Sequence, residues 1–213
     1  METDLLQKLG SKEMSKIQLF QRIKADFGLV PVLFEGPSSA KATVRYGCGN
    51  VLTNLSEEYP DKLYPYMDQF IELLDNKHRI LTWNALAAIA NLTSVDVDRK
   101  FDAIFNKYYG FLGNEYMVTV ANVVVNSAKI VSNKPYLADK IVAELLKVQN
   151  LQTTPHLTEE CKLVISEQTI KTFNTLINYT QNKQALIDFA QKHQESKRAS
   201  LKKEAQNFIE KYH

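Results

Sequence analysis

Val44-Arg45-Tyr46-Gly47-Cys48-Gly49-Asn50-Val51-Leu52-Thr53-Asn54-Leu55-Ser56 and Leu81-Thr82-Trp83-Asn84-Ala85-Leu86-Ala87-Ala88-Ile89-Ala90-Asn91-Leu92-Thr93 are two versions of one theme, 37 residues apart. Both end in Asn-Leu followed by a hydroxyl residue. Each is followed by an acidic link and then by a second apolar segment, Asp61 to Leu74 in one case and Asp98 to Leu112 in the other. In Leu63, Tyr66, Met67, Phe70, Ile71 and Leu74 the apolar residues fall three and then one apart, which places them on one helix face. Phe101, Ile104, Phe105, Tyr108, Tyr109 and Leu112 repeat the spacing. Asp61 and Asp98 stand where N-caps or first-turn acids are expected. A period of this length is the mark of two-helix units that cannot bury their apolar faces alone and therefore stack on their neighbours.

Working outward, Met117 to Val131 reads as a helix apolar on most sides, which predicts burial between neighbours. Its partner runs from Pro135 to Val148, and a linker, Gln149 to Leu157, contains Thr153-Thr154-Pro155. A long helix from Thr158 to Thr180 ends in Leu176-Ile177-Asn178-Tyr179-Thr180, a third copy of the motif. Lys183 to Lys192 and Lys197 to Tyr212 read as closing helices. Asp4 to Asp26 reads as one or two helices, and Glu35-Gly36-Pro37-Ser38-Ser39 as a turn. The expected architecture is all-α: a right-handed α-α superhelix of about five helix pairs in one domain, 1–213. Residues 1–32 form N-terminal capping helices, 33–180 the repeat core, and 181–213 C-terminal capping helices.

Composition agrees. Seven glycines and six prolines are few for 213 residues, and these are the residues least tolerated inside helices. A net charge of +2 lacks the basic excess of a nucleic-acid binder, so nucleic acid is an unexpected partner. Cys48 and Cys161 match no metal spacing and read as reduced thiols. Met1 to Gly10 has no apolar run of signal-peptide length, and no window approaches the ~18 apolar residues of a membrane span. The expected setting is cytoplasmic, without membrane insertion. In that setting the sequons at Asn54, Asn91 and Asn178 are helix-end chemistry rather than glycosylation sites.

At these residues the chain resembles HEAT-repeat proteins, whose second helix commonly begins Val-Arg and continues through small residues to a leucine-rich end. Val44-Arg45 followed by Gly47, Cys48, Val51, Leu52 and Leu55 fits, as does the turn Leu73-Leu74-Asp75-Asn76-Lys77. The Asn-Leu-Ser and Asn-Leu-Thr endings are similar to the related armadillo family. The resemblance covers Leu33 to Leu112 best. Thr82 replaces the arginine in the second unit, and Val118-Thr119 keeps only the valine in the third. It implies a helical-repeat scaffold for protein–protein interaction, with no cofactor.

In armadillo proteins a ladder of asparagines grips an extended peptide, each Asn paired with a Trp four residues earlier. Here Asn50, Ala87 and Asn174 occupy that earlier place, which favours a structural role for the motif asparagines. Gly47 and Gly49 imply either tight helix packing or a surface closely approached by a partner. Tyr46 and Trp83 are equivalent, and either form an aromatic surface or wedge between helices. Following the family pattern, Arg45 bonds the turn or acid of a neighbouring unit. The candidate partner-binding residues are Arg45, Tyr46, Asn50, Trp83, Asn84 and Ala87.

Catalytic, cofactor and metal residues are not expected. His78, His156, His193 and His213 lack a His or Cys partner at metal spacing, and no phosphate loop, nucleophile elbow or HExxH is present. Glu57-Glu58 and Glu159-Glu160 sit at helix ends. The lysines and arginine between Lys192 and Lys211 read as a solvated cap. The leading function is therefore a non-catalytic scaffold or adaptor that takes a helix or extended peptide of another protein on its concave face. Two alternatives are a HEAT-like DNA-binding protein or alkylbase DNA glycosylase, and a structural subunit of a larger assembly.

Overall fold

Proline and glycine set where the helices stop. The computed structural model describes residues 2–212, and Met1 and His213 lie outside the described residues. The described residues form α1 (Glu2–Ser11), α2 (Lys16–Ala25), α3 (Val30–Glu35), α4 (Ala42–Glu58), α5 (Pro60–Leu63), α6 (Met67–Leu73), α7 (Arg79–Leu92), α8 (Lys100–Gly110), α9 (Met117–Asn133), α10 (Ala138–Leu145), α11 (Glu159–Leu176), α12 (Lys183–Gln191) and α13 (Ala199–Tyr212). Among them the only extended pairing is a single bridge between Thr154 and Leu157. The chain packs into two compact units, Met1–Ile104 and Phe105–His213.

In the first unit α4 is central. Val44, Cys48, Val51, Leu52 and Leu55 form its buried face. α4 and α7 run side by side in the same direction, as equivalent helices of successive repeats do. The Thr53 hydroxyl donates to the Asn84 carbonyl at 3.4 Å, and the Asn91 amide donates to Ser56 Oγ at 2.9 Å, so later residues meet later residues. Gly49 allows this close approach, and Gly47 allows that of α1. A Cβ on Gly47 would lie 2.9 Å from Leu9 Cδ2, and one on Gly49 would lie 2.7 Å from Asn84 Oδ1. The packing role of both glycines is borne out.

The segment expected as one helix, Asp61 to Leu74, is two. Pro60 opens α5 and Pro65 sits in a 3-10 turn, Tyr64–Tyr66, before α6. A proline has no N–H to give the preceding turn and so interrupts the helix. Phe34 stacks on Tyr66 and meets Phe70 edge-on, closing α3 over this break. Asp98 is not the cap of α8. Asp96 is, accepting the Lys100 and Phe101 amides at 2.8 and 3.0 Å. Arg99 between them adopts φ 55°, the left-handed bend that swings the carboxylate onto the helix end.

In the second unit α9, α11 and α13 succeed one another. The Thr172 hydroxyl donates to the Val124 carbonyl at 3.2 Å, tying α11 to α9. Tyr109 and Ser127 share a buried hydroxyl bond at 3.1 Å. Phe173, Phe189 and Phe208 cluster around the end of the chain. Burying one such ring stabilises the fold by roughly 1.5–3 kcal/mol. α11 opens on Thr158, whose hydroxyl accepts the Cys161 amide, and Glu159 and Glu160 lie in its first turn, as expected.

The α11–α13 contact is ionic. Glu167, only 8% exposed, accepts from Arg198 Nε at 3.0 Å, Ser200 Oγ at 2.6 Å and Lys171 at 2.6 Å. Arg198 also pairs with Glu160. Burial alone would raise the Glu167 pKa. The bonds from Lys171, Ser200 and Arg198 outweigh it and hold the carboxyl at about 2. Arg198 is thus a tie between repeats rather than part of a solvated cap, whereas Lys202 makes an exposed pair with Glu195.

Candidate interaction face

Each inner helix turns one side to its neighbours and leaves another open. Counting from the N-caps Lys41, His78 and Tyr116 puts α4, α7 and α9 in one register. The fifth residue after the cap is Tyr46, Trp83 or Ala121, and each is half-buried. The ninth is Asn50, Ala87 or Val125, half-buried in the first two and exposed in the third. The second is Thr43, Ile80 or Val118, all exposed. The spacing is that of one helix face.

In the first unit Tyr46, Asn50, Trp83 and Ala87 share this face on two adjacent parallel helices, and Arg45 and Asn84, also expected from the sequence, lie beside it. They are not equivalent. Arg45 is turned back on its own approach turn, donating from Nη1 to the Ser39 and Ala40 carbonyls, both at 2.8 Å. It does not reach a neighbouring unit, because those carbonyls lie just ahead of its own helix. Its guanidinium lies 5.4 Å from the Tyr46 ring centre, so its effect on the face is to support Tyr46. Tyr46 meets His78 edge-on at 6.3 Å. His78 is half-buried rather than solvated, and its pKa is lowered by that burial and by the Arg45 and Lys77 charges. Trp83 and Ala87 are half-buried. Asn84 Oδ1 is buried without a hydrogen-bond partner against the bare backbone of Gly49.

The motif asparagines divide. Asn91 is buried and structural, bonded to Ser56, while Asn54 and Asn178 are exposed. Asn54 and Asn50 line a hollow of about 440 Å³ facing Ile17 and Phe20 of α2. A second hollow, of about 570 Å³, lies between the α1–α2 turn and the start of α4, over Leu9, Met14 and Tyr46. Lys16 lines both.

In the second unit the expectation that α9 is buried on most sides is corrected. Val120, Val123, Val124, Ile130 and Val131 are buried, but Val118 and Val125 are 39% and 50% exposed. They fall seven residues apart, off the buried stripe, with Asn122 between them bonded to the Val118 carbonyl. That spacing was the available signal, and the overall apolarity of the segment masked it. Ile17 was missed for a related reason: it stands outside the buried pair Leu19 and Ile23 and is 74% exposed. Among the described residues no group of His, Cys, Asp and Glu could hold a metal ion, and no helix is long and apolar enough to cross a membrane.

No family profile and no curated protein matches the sequence. Solved structures do match in fold. A designed armadillo repeat protein, YIII(Dq)4CqI, is 18% identical with a TM-score of 0.55, over 100% of this chain and 93% of that one. A second designed armadillo repeat protein, YIII(Dq.V1)4CPAF in complex with the peptide (KR)4, is 18% identical with a TM-score of 0.61, over 98% of this chain and 91% of that one. The fold is an all-α helical repeat of the armadillo type. An engineered protein, 17% identical with a TM-score of 0.53 over 98% of this chain and 87% of that one, matches as well. At such identities an armadillo-type neighbour carries the architecture alone, and the residues of the open face are this chain's own.

Proposed function

We propose that the protein is a non-catalytic binding scaffold that holds a segment of another protein along the open side of its inner helices, Tyr46, Asn50, Trp83, Asn84 and Ala87 being the contact residues and Arg45 their support. The observation that carries this is the shared register of half-buried aromatic, amide and small side chains on α4 and α7. Such a row offers apolar area with amide groups for a backbone, the composition of a peptide-binding surface rather than of an acid–base site. A neighbour of the same fold in complex with a peptide supports the reading.

The test is selection of a phage-displayed random peptide library against the wild-type protein and the Tyr46→Ala, Trp83→Ala double variant. Enriched peptides should bind the variant at least tenfold more weakly, with the helical circular dichroism unchanged. Absence of any enrichment would sink the proposal. Loss of helical signal in the variant would make the two rings part of the core instead.

A further inference from the structure

The two hollows of the first unit form a trough along α4, walled by the α1–α2 turn and α2, and its ends differ in charge. Lys12 stands at the near end and Lys16 where the two hollows meet. Neither pairs with a carboxylate among the described residues. The local acid, Glu13, accepts from the Ser11 hydroxyl at 2.8 Å. Along the middle lie Tyr46, Met14, Ile17 and Phe20, with the Asn50 and Asn54 amides between them, and Glu58 stands at the far end.

Lys12 follows α1 at φ 67°, the left-handed position that closes a helix, with the Met14 amide bonded back to the Lys8 carbonyl. That turn sets the Lys12 side chain on the rim of the first hollow.

We propose that the trough takes an extended segment of another protein that has acidic residues at one end, followed by apolar side chains. This rests on the scaffold reading above, with which it shares Tyr46 and Asn50, and names its partner chemistry. The acidic end lies over Lys12 and Lys16. The apolar side chains sit against Tyr46, Ile17 and Phe20, and the Asn50 and Asn54 amides meet the backbone. The 17 residues of α4 span about 25 Å at 1.5 Å each. That length accommodates about seven extended residues at roughly 3.3 Å each. The sign is opposite to that of the (KR)4 peptide bound by the structural neighbour.

The experiment uses the full chain and three fluorescein-labelled ten-residue peptides with the same apolar spacing, whose polar end carries Asp, Ser or Lys. Anisotropy should show the Asp peptide binding at least tenfold more tightly than the Ser peptide, and the Lys peptide most weakly. Lys12→Glu with Lys16→Glu should reverse the order, and raising the salt should shrink the Asp advantage. Lys12→Gly should reduce that advantage while leaving the melting temperature unchanged or higher, because glycine relieves the left-handed strain. Equal binding of the Asp and Ser peptides, both weakened by Tyr46→Ala, would overturn the acidic partner and leave the scaffold standing. Binding of none of the three would overturn both. Equally tight binding of oligothymidylate of matched charge, or a dimer that the two lysine reversals dissociate, would overturn the peptide assignment.

Discussion

The α4–α7 contact of the first unit and the α11–α13 contact of the second are the same kind of junction, parallel inner helices of successive repeats, made with opposite chemistry. The first is dry and close. Gly49 makes room for Asn84 and Leu81, and the Asn91 amide, bonded to Ser56 and the Thr53 carbonyl, fixes the register. The second is spaced by long side chains, with Glu167 drawing in Lys171, Arg198 and Ser200. Repeat stacking dictates the direction and offset of the helices and leaves open how their contact is filled. The two units should therefore answer differently to steric, ionic and pH perturbation.

The largest effect should come from crowding the dry junction. Gly49→Leu puts atoms where Asn84 and Leu81 already stand, 2.7 and 2.9 Å from the new Cβ, and should cost about 3 kcal/mol. Urea unfolding followed by Trp83 fluorescence measures it, since the single tryptophan lies in the first unit. A loss below about 1 kcal/mol would mean that the junction is looser than its geometry.

Removing the centre of the ionic junction is next. Glu167→Ala removes the acceptor shared by Lys171, Arg198 and Ser200, Arg198 keeping its pair with Glu160, and should cost about 2 kcal/mol, the partial exposure of both cations keeping it below a fully buried pair. Circular dichroism should report the loss, with the Trp83 transition unmoved.

Acid should act through the same residue. A carboxyl held at about 2 in the fold and near 4.5 unfolded stabilises fully above 4.5, and its contribution fades as pH falls toward 2. Titration from pH 7 to 3 should lower the helical signal of the second unit before Trp83 responds, and Glu167→Gln should abolish that difference. Simultaneous transitions would show that the ionic junction does not set acid stability.

Asn91→Ala, which deletes the buried amide's bonds to Ser56 and the Thr53 carbonyl, should cost about 1 kcal/mol by urea unfolding. Smallest of all, Lys202→Ala removes an exposed pair with Glu195 and should change stability by less than about 0.5 kcal/mol. A larger effect there would extend the ionic junction to the surface of α13.

The helices were legible in the sequence because their apolar spacing is strong, and the 37-residue repeat of the α4 and α7 motifs placed them as equivalents. What stayed hidden was decided by backbone geometry or by partners distant in sequence. The choice of Asp96 over Asp98 as the α8 cap depends on the left-handed bend at Arg99. The break between α5 and α6 depends on Pro65, which the period of the surrounding leucines and aromatics overrides on paper. Glu167 and Arg198 are 31 residues apart and look like ordinary surface charges until α13 lies against α11. On the candidate face the aromatic positions were readable from the repeat. The turning-in of Arg45 and the exposure of Val118 and Val125 required the packing.

Each unit carries one thiol, and the two stand in different surroundings. Cys161 is half-exposed at the start of α11, beside the Thr158 hydroxyl. Cys48 is wholly buried, its sulfur filling the space a side chain at Gly36 would need, and burial pushes its pKa up to about 12. A maleimide should therefore tag Cys161 in the native protein and reach Cys48 only when the first unit opens. The chain contains its own stopwatch: the appearance of the second tag times the opening of the Gly36–Ser38 turn from α4.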